Sequence, residues 1–148
     1  MTMLKPQDIR IGDYLLTDGK VIQVAAVHQK EAGYHERHDR LTWVRLDRLE
    51  YIVITPDTLT AFGFEKIEPD GWLFNEAWEF RAESLTYEEG SPFALSWREE
   101  DDGERTYRIT ARGYGEGPFF CHDSISDLQH FFYDFTHGNV MPIEYVKP

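Results

Sequence analysis

A chain of 148 residues with 41% hydrophobic residues, 15% aromatics and a single cysteine is long enough to bury about two thirds of its unfolded surface, and it excludes an internal disulfide framework and any paired-cysteine zinc or redox motif. The net charge of -12 is unevenly placed: residues 1–64 carry nine acids and eight bases, 65–104 carry thirteen and three, and 105–148 carry five and four. A carboxylate-dominated surface speaks against direct nucleic acid binding, which runs through Lys and Arg on phosphates, and against anionic membranes; it suits a basic partner or simple solubility.

The opening stretch, Met1 to Arg10, has no signal-like apolar segment and no run approaches 18 apolar residues, so the expectation is a soluble, cytoplasmic protein. The chain reads as one domain, with residues 1–54 and 55–148 as candidate subdomains.

Ile9 to Gln29 predicts a hairpin: apolar residues around Tyr14 to Leu16, a turn at Asp18-Gly19, then the β-branched run from Val21 to Val27. Residues 30–40 are polar, contain Gly33 and lack either period, which predicts an exposed connection. Leu41 to Ile54 resumes strand-like composition around Trp43, Val44, Leu46, Tyr51 and Ile52. Thr55-Pro56-Asp57 supplies a cap, a proline for the first helical position and an acid for the first turn, and Gly63 suits a left-handed stop, so a short helix is expected over about Pro56 to Phe62.

Residues 65–123 read as a meander, with strands at Trp72 to Phe74, Trp78 to Phe80, Ser84 to Tyr87, Phe93 to Trp97 and Thr106 to Ala111. The glycines of Gly113 to Pro118 predict a loop. Ser124 then opens the strongest helix, with Asp127 completing a shortened capping box and Gly138 ending it. Ile125, Leu128, Phe132 and Phe135 recur at spacings of three, four and three, one apolar stripe widened by Phe131. A closing strand is expected over Pro142 to Val146.

Three segments occur here in a familiar order: Arg10-Ile11-Gly12-Asp13-Tyr14 with Gly19-Lys20-Val21-Ile22-Gln23-Val24; Ile54-Thr55-Pro56 with Leu59 and Phe62-Gly63-Phe64-Glu65-Lys66; and Leu128-Gln129-His130 through Thr136-His137-Gly138. Together they resemble a group of short, uncharacterised phage- and prophage-type proteins that share an IGN/DxV opening, a TPxxL...FGFEK centre and a C-terminal LQ...TG helix. His137 departs from the pattern by standing between Thr136 and Gly138. The resemblance implies a phage or prophage context and supplies no catalytic motif.

Chemistry-bearing clusters are few. His28, His35 and His38 gather imidazoles, but a loop spacing fixes no metal geometry, so no metal is assigned. Cys121, His122 and Asp123 are adjacent, and neighbours on a strand face opposite sides; Cys121 between aromatics and polar groups reads as a small core residue. Glu76, Glu79 and Glu83 cannot be given acid and base roles from spacing. Gly113 to Gly117 leads through Pro118 into an apolar strand and not into a helix N-terminus, so no phosphate site or cofactor is assigned.

These readings give an α+β fold: a bent, mostly antiparallel sheet built of SH3-like N-terminal hairpins plus a β-meander, one short helix and one amphipathic C-terminal helix. The expected function is that of a non-enzymatic accessory protein acting by protein–protein interaction. Its rivals are an acidic inhibitor imitating nucleic acid, and a small-molecule binder or minor enzyme using the His and Cys121 neighbourhoods. The candidate interaction surface is the acidic, aromatic meander, with Glu99, Glu100, Asp101 and Asp102 steering a basic protein partner and an exposed residue among Trp72, Trp78 and Trp97 anchoring it. The aromatics have a second use open to them, as the meander's own core.

Overall fold

Asp18 and Gly19 both lie in the left-handed region, at φ 49° and 77°, the signature of a two-residue type I′ turn. They join β1 (Tyr14–Thr17) to β2 (Lys20–Val27) in the register Thr17↔Lys20 to Tyr14↔Gln23. In this computed structural model the described residues are 4–37, 39–69, 75–80, 93–110, 116–117, 124–135, 141 and 143–146. They fall into two compact units, one of residues 1–54 and 121–141, the other of 55–120 and 142–148. The fold is α+β, with antiparallel pairing in both sheets.

In the first unit the hairpin continues into β3 (Glu31–Arg37), β4 (Arg40–Arg45) and β5 (Glu50–Tyr51), in the order β4-β3-β2-β1-β5. The expected exposed connection at 30–40 is therefore largely a strand. Its polar composition concealed it: β3 is paired on both sides, yet only Ala32 and Gly33 are buried, while His35, Glu36 and Arg37 are exposed. Gly33 lies close against the neighbouring strand, where a Cβ would stand 3.1 Å from Leu41 side-chain carbons. Leu15, Ile22, Val24, Ala32, Leu46 and Leu49 form the core of the sheet with Leu4 and Ile9.

The helix α2 (Ile125–Phe135) belongs to this same unit. Ser124 Oγ accepts the Asp127 N–H at 3.2 Å, the N-terminal cap that the sequence predicted. Ile125, Leu128 and Phe132 of the apolar stripe are 1% exposed or less, each contributing on the order of 1.5–3 kcal/mol through burial. The side chain of Phe135 lies outside the described residues. The Ile125 N–H bonds the Ile52 carbonyl at 2.9 Å, and Ser124 bridges to Val53.

In the second unit, α1 (Pro56–Ala61) follows a reciprocal cap: the Thr58 N–H donates to Thr55 Oγ1, and the Thr55 N–H to Thr58 Oγ1. It ends in a Schellman motif, with Gly63 at φ 89°, the Gly63 N–H on the Thr60 carbonyl and the Phe64 N–H on the Leu59 carbonyl. The sheet is a meander of β6 (Glu65–Ile67), β7 (Glu76–Phe80), β8 (Phe93–Glu99), β9 (Arg105–Thr110) and β10 (Glu116–Gly117) in the order β10-β9-β8-β7-β6. Within the expected Gly-rich loop, Glu116 and Gly117 thus pair with Thr110 and Ile109.

Ile143 to Val146 do not form the expected closing strand, and the Val146 N–H bonds the Ala61 carbonyl at the end of α1. Ile143 is buried, and Tyr145 packs on Phe62 at 5.4 Å between ring centroids. The expected strands at 72–74 and 84–87, and Pro142, lie outside the described residues. Among the described residues, no helix is long and apolar enough to cross a membrane.

Candidate functional site at Asp13 and His130

The turn before β1 is closed by its own backbone. Gly12, at φ 99°, donates its N–H to the Val24 carbonyl, the Val24 N–H returns to the Asp13 carbonyl, and the Asp13 N–H reaches the Arg10 carbonyl. The Arg10 N–H in turn donates to Asp13 Oδ2 at 2.8 Å. This turn has a second support in α2. Gln129 accepts the Tyr14 N–H on Oε1 at 2.9 Å and donates from Nε2 to the Gly12 carbonyl at 2.8 Å.

One residue further along α2, His130 Nε2 lies 2.6 Å from Asp13 Oδ2. The carboxylate accepts, so Nε2 carries the proton of this bond. One turn on, Arg10 pairs with Asp134 at 2.9 Å and lies 5.6 Å from the centre of the Tyr133 ring. The hydrogen bond that it donates to Asp134 holds the Arg10 guanidinium above its ordinary pKa, against an opposing effect of burial.

The Asp13 side chain is 3% exposed. Its Oδ2 takes two donors, and its Oδ1 takes none among the described residues. Asp13, Gln129, His130, Tyr133, Ile11 and Met141 line a cavity of about 380 Å³, with Arg10 and Gly12 completing it. Ile11 and Tyr133 are 67% and 41% exposed. The cavity is thus lined by a buried carboxylate together with two exposed, largely apolar side chains. A buried acceptor lacking a donor favours an arriving N–H group, and most strongly a cationic one.

The sequence-predicted surface is only partly at the surface. Trp78 and Trp97 are 4% and 1% exposed, a correction to their expected use as exposed anchors: strand register puts Trp78 beside Leu95 and Trp97 beside Tyr107, and these residues fill the sheet's core. Trp72 lies outside the described residues. Glu99, Asp101 and Asp102 are exposed. Glu100 is partly covered and bonded by Arg98 at 2.7 Å and Thr106 at 2.8 Å, which hold its carboxyl below the usual range. The exposed tryptophan among the described residues is Trp43 on β4.

His28 and His35 are exposed, whereas His38, Glu83, Gly113 to Gly115, Cys121, His122 and Asp123 lie outside the described residues. Glu76 is occupied by the Trp78 indole N–H and by Lys66, and Glu79 is buried. Among the described residues, no three His, Cys, Asp or Glu side chains converge as a metal site.

No protein-family model, curated protein or solved structure matches this chain.

Proposed function

We propose that this chain is a non-enzymatic accessory protein, of the phage or prophage type its motifs resemble, that acts by binding a basic protein and seating one of its Lys or Arg side chains in the cavity over Asp13. The observation that carries this reading is the buried Asp13 carboxylate, whose Oδ1 has no donor among the described residues, in the lining of a cavity that it shares with exposed Ile11 and Tyr133. The chain's charge of -12 adds long-range attraction for a cationic partner, and the apolar rim supplies contact area that outlasts the encounter. The Arg10 guanidinium already lies over the Tyr133 ring, so the rim accommodates a cation.

The test is titration calorimetry with a short arginine-containing peptide, its citrulline counterpart and free alkylguanidine. Binding of the arginine peptide, weakened at least about tenfold by citrulline and by Tyr133→Ala, is the expected result. Equal binding of arginine and citrulline peptides, or none of either, overturns the reading. Binding of alkylguanidine as tight as that of the peptide would favour the second reading, a small-molecule binder, which the cavity volume of about 380 Å³ supports.

A further inference from the structure

The cavity that Asp13 lines is lined by His130 as well, so a cation that enters it meets an imidazole beside the carboxylate. The two side chains are 20% and 3% exposed. Burial of this depth leaves little water to screen one charge from another.

The groups around the imidazole determine what its protonation does. From the turn before β1 it is faced by Asp13, 2.6 Å from Nε2, and by Arg10, which shares the cavity lining. On α2 itself Asp127, Tyr133 and Asp134 lie three or four positions away, one helical turn to either side. Asp127 and Asp134 are not part of the lining, and the lining residues Ile11, Gly12, Gln129 and Met141 carry no charge. Arg10 and Asp134 offset one another as an ion pair at 2.9 Å. The charge left to act on an arriving cation is that of Asp13 while the imidazole is neutral, and it is cancelled once the imidazole is protonated.

This is a change of charge without a change of contact. Neutral His130 already donates from Nε2 to Asp13, so a second proton goes to Nδ1 and leaves that bond in place. Among the described residues Nδ1 has no hydrogen-bond partner that its protonation would displace.

We infer that His130 makes cation capture in this cavity proton-linked: the neutral imidazole leaves the Asp13 charge to attract a Lys or Arg side chain, and the protonated imidazole neutralises it in advance. The inference rests on the proposed use of the cavity and adds its regulation. Imidazole is the side chain whose charge ordinarily changes between about pH 5 and 8. Linkage makes the effect reciprocal, because the factor by which a proton weakens the cation is the factor by which the cation weakens the proton. Capture of a cation therefore expels a proton into solution.

The experiment uses the whole protein and an acetylated, amidated peptide with one arginine and no side chain that titrates near neutrality, beside its citrulline counterpart. Titration calorimetry is expected to show arginine binding weakened at least about tenfold in the parent from about pH 8 to about pH 5.5. His130→Gln keeps an amide donor for Asp13 and cannot titrate, so its affinity is expected to change by less than about threefold over that range. Circular dichroism checks that the variant folds. The other carboxylates are common to both proteins, so the comparison removes their contribution. A second measurement needs no variant: heats of arginine binding to the parent in two buffers of different ionisation enthalpy are expected to reveal proton release. An equal loss of affinity in parent and His130→Gln overturns the inference, as does arginine binding without proton release. Equal binding of the arginine and citrulline peptides at the higher pH is a separate failure, which removes the cation site itself and the proton linkage with it.

Discussion

His130 lies 117 residues from Asp13 in the sequence, and its Nε2 stands 2.6 Å from the Asp13 carboxylate. With Gln129 beside it on Gly12 and Tyr14, and Arg10 on Asp134, one helix face fastens one turn. The Arg10 to Tyr14 and Leu128 to His130 segments, far apart in the sequence, thus meet at a single place. Their residue types follow from that meeting: a glycine for the left-handed turn, an acid to accept from imidazole, and a side-chain amide with both a donor and an acceptor.

Gln129→Leu removes the acceptor used by the Tyr14 N–H and a donor to the Gly12 carbonyl while keeping the side-chain volume. A loss of roughly 1–3 kcal/mol is expected in chemical denaturation. Gln129→Glu keeps the acceptor and should cost less than Gln129→Leu only where the carboxyl is protonated, because a carboxylate repels the Gly12 carbonyl. An unchanged midpoint for Gln129→Leu would mean that the helix does not support the turn.

Phe132 is 1% exposed on the apolar stripe of α2. Truncation to alanine should cost about 3–5 kcal/mol. Thermal melting of Phe132→Ala within a degree or two of the parent would make the helix peripheral to its unit.

Two glycines should fail for different reasons. Gly19 has φ 77° and nothing within 4 Å of an added Cβ, so Gly19→Ala should cost about 1–2 kcal/mol of backbone strain alone. Gly33→Ala presses on Leu41 at 3.1 Å, and its cost, about 1 kcal/mol, is set by how far the Leu41 side chain moves aside. In a Leu41→Ala background the Gly33 penalty should disappear while the Gly19 penalty persists. Equal penalties in both backgrounds would defeat this account.

Glu100 titrates below the ordinary glutamate range, chiefly through its hydrogen bond from Arg98 and then that from Thr106. A depressed folded pKa favours the folded state above the unfolded pKa, and this contribution is lost as pH falls through the folded value. The carboxyl is solvent-facing, so the stability effect is small and the titration itself is the better measurement. Carbon-detected NMR should show the Glu100 midpoint rising in Arg98→Ala. A midpoint that does not move would remove Arg98 as the cause.

Much of the local structure was legible because single residues dictate it: Asp18-Gly19 for the turn, Thr55-Pro56 and Gly63 for the two ends of α1, and the spacing of Ile125, Leu128 and Phe132 for α2. β3 was not, because its stability comes from pairing on both sides and its exposed residues carry no apolar period. The tryptophans needed register. Nothing in composition separates Trp78 and Trp97 in a core from Trp43 on an edge, since strand pairing decides which face is covered. The cavity was missed for a related reason: Asp13 and His130 are unremarkable singly, and only a long-range contact joins them. One signal was available, in that Gln129 and His130 directly follow Leu128 beside the stripe, where a polar pair has to find partners.

Residues 1–54 and the helix α2 form one unit although the whole stretch 55–120 intervenes. During synthesis the strands emerge first, and the ribosome must extend the chain through all of the second unit's meander before the helix that bonds Tyr14, Gly12 and Ile52 exists. A ribosome stalled anywhere before Ile125 therefore displays a sheet whose Asp13 has no imidazole and whose core has no helix to cover it, a state that chaperones and proteases are built to notice. The first unit to be translated thus waits for residues 121–141, and its quality control falls on them.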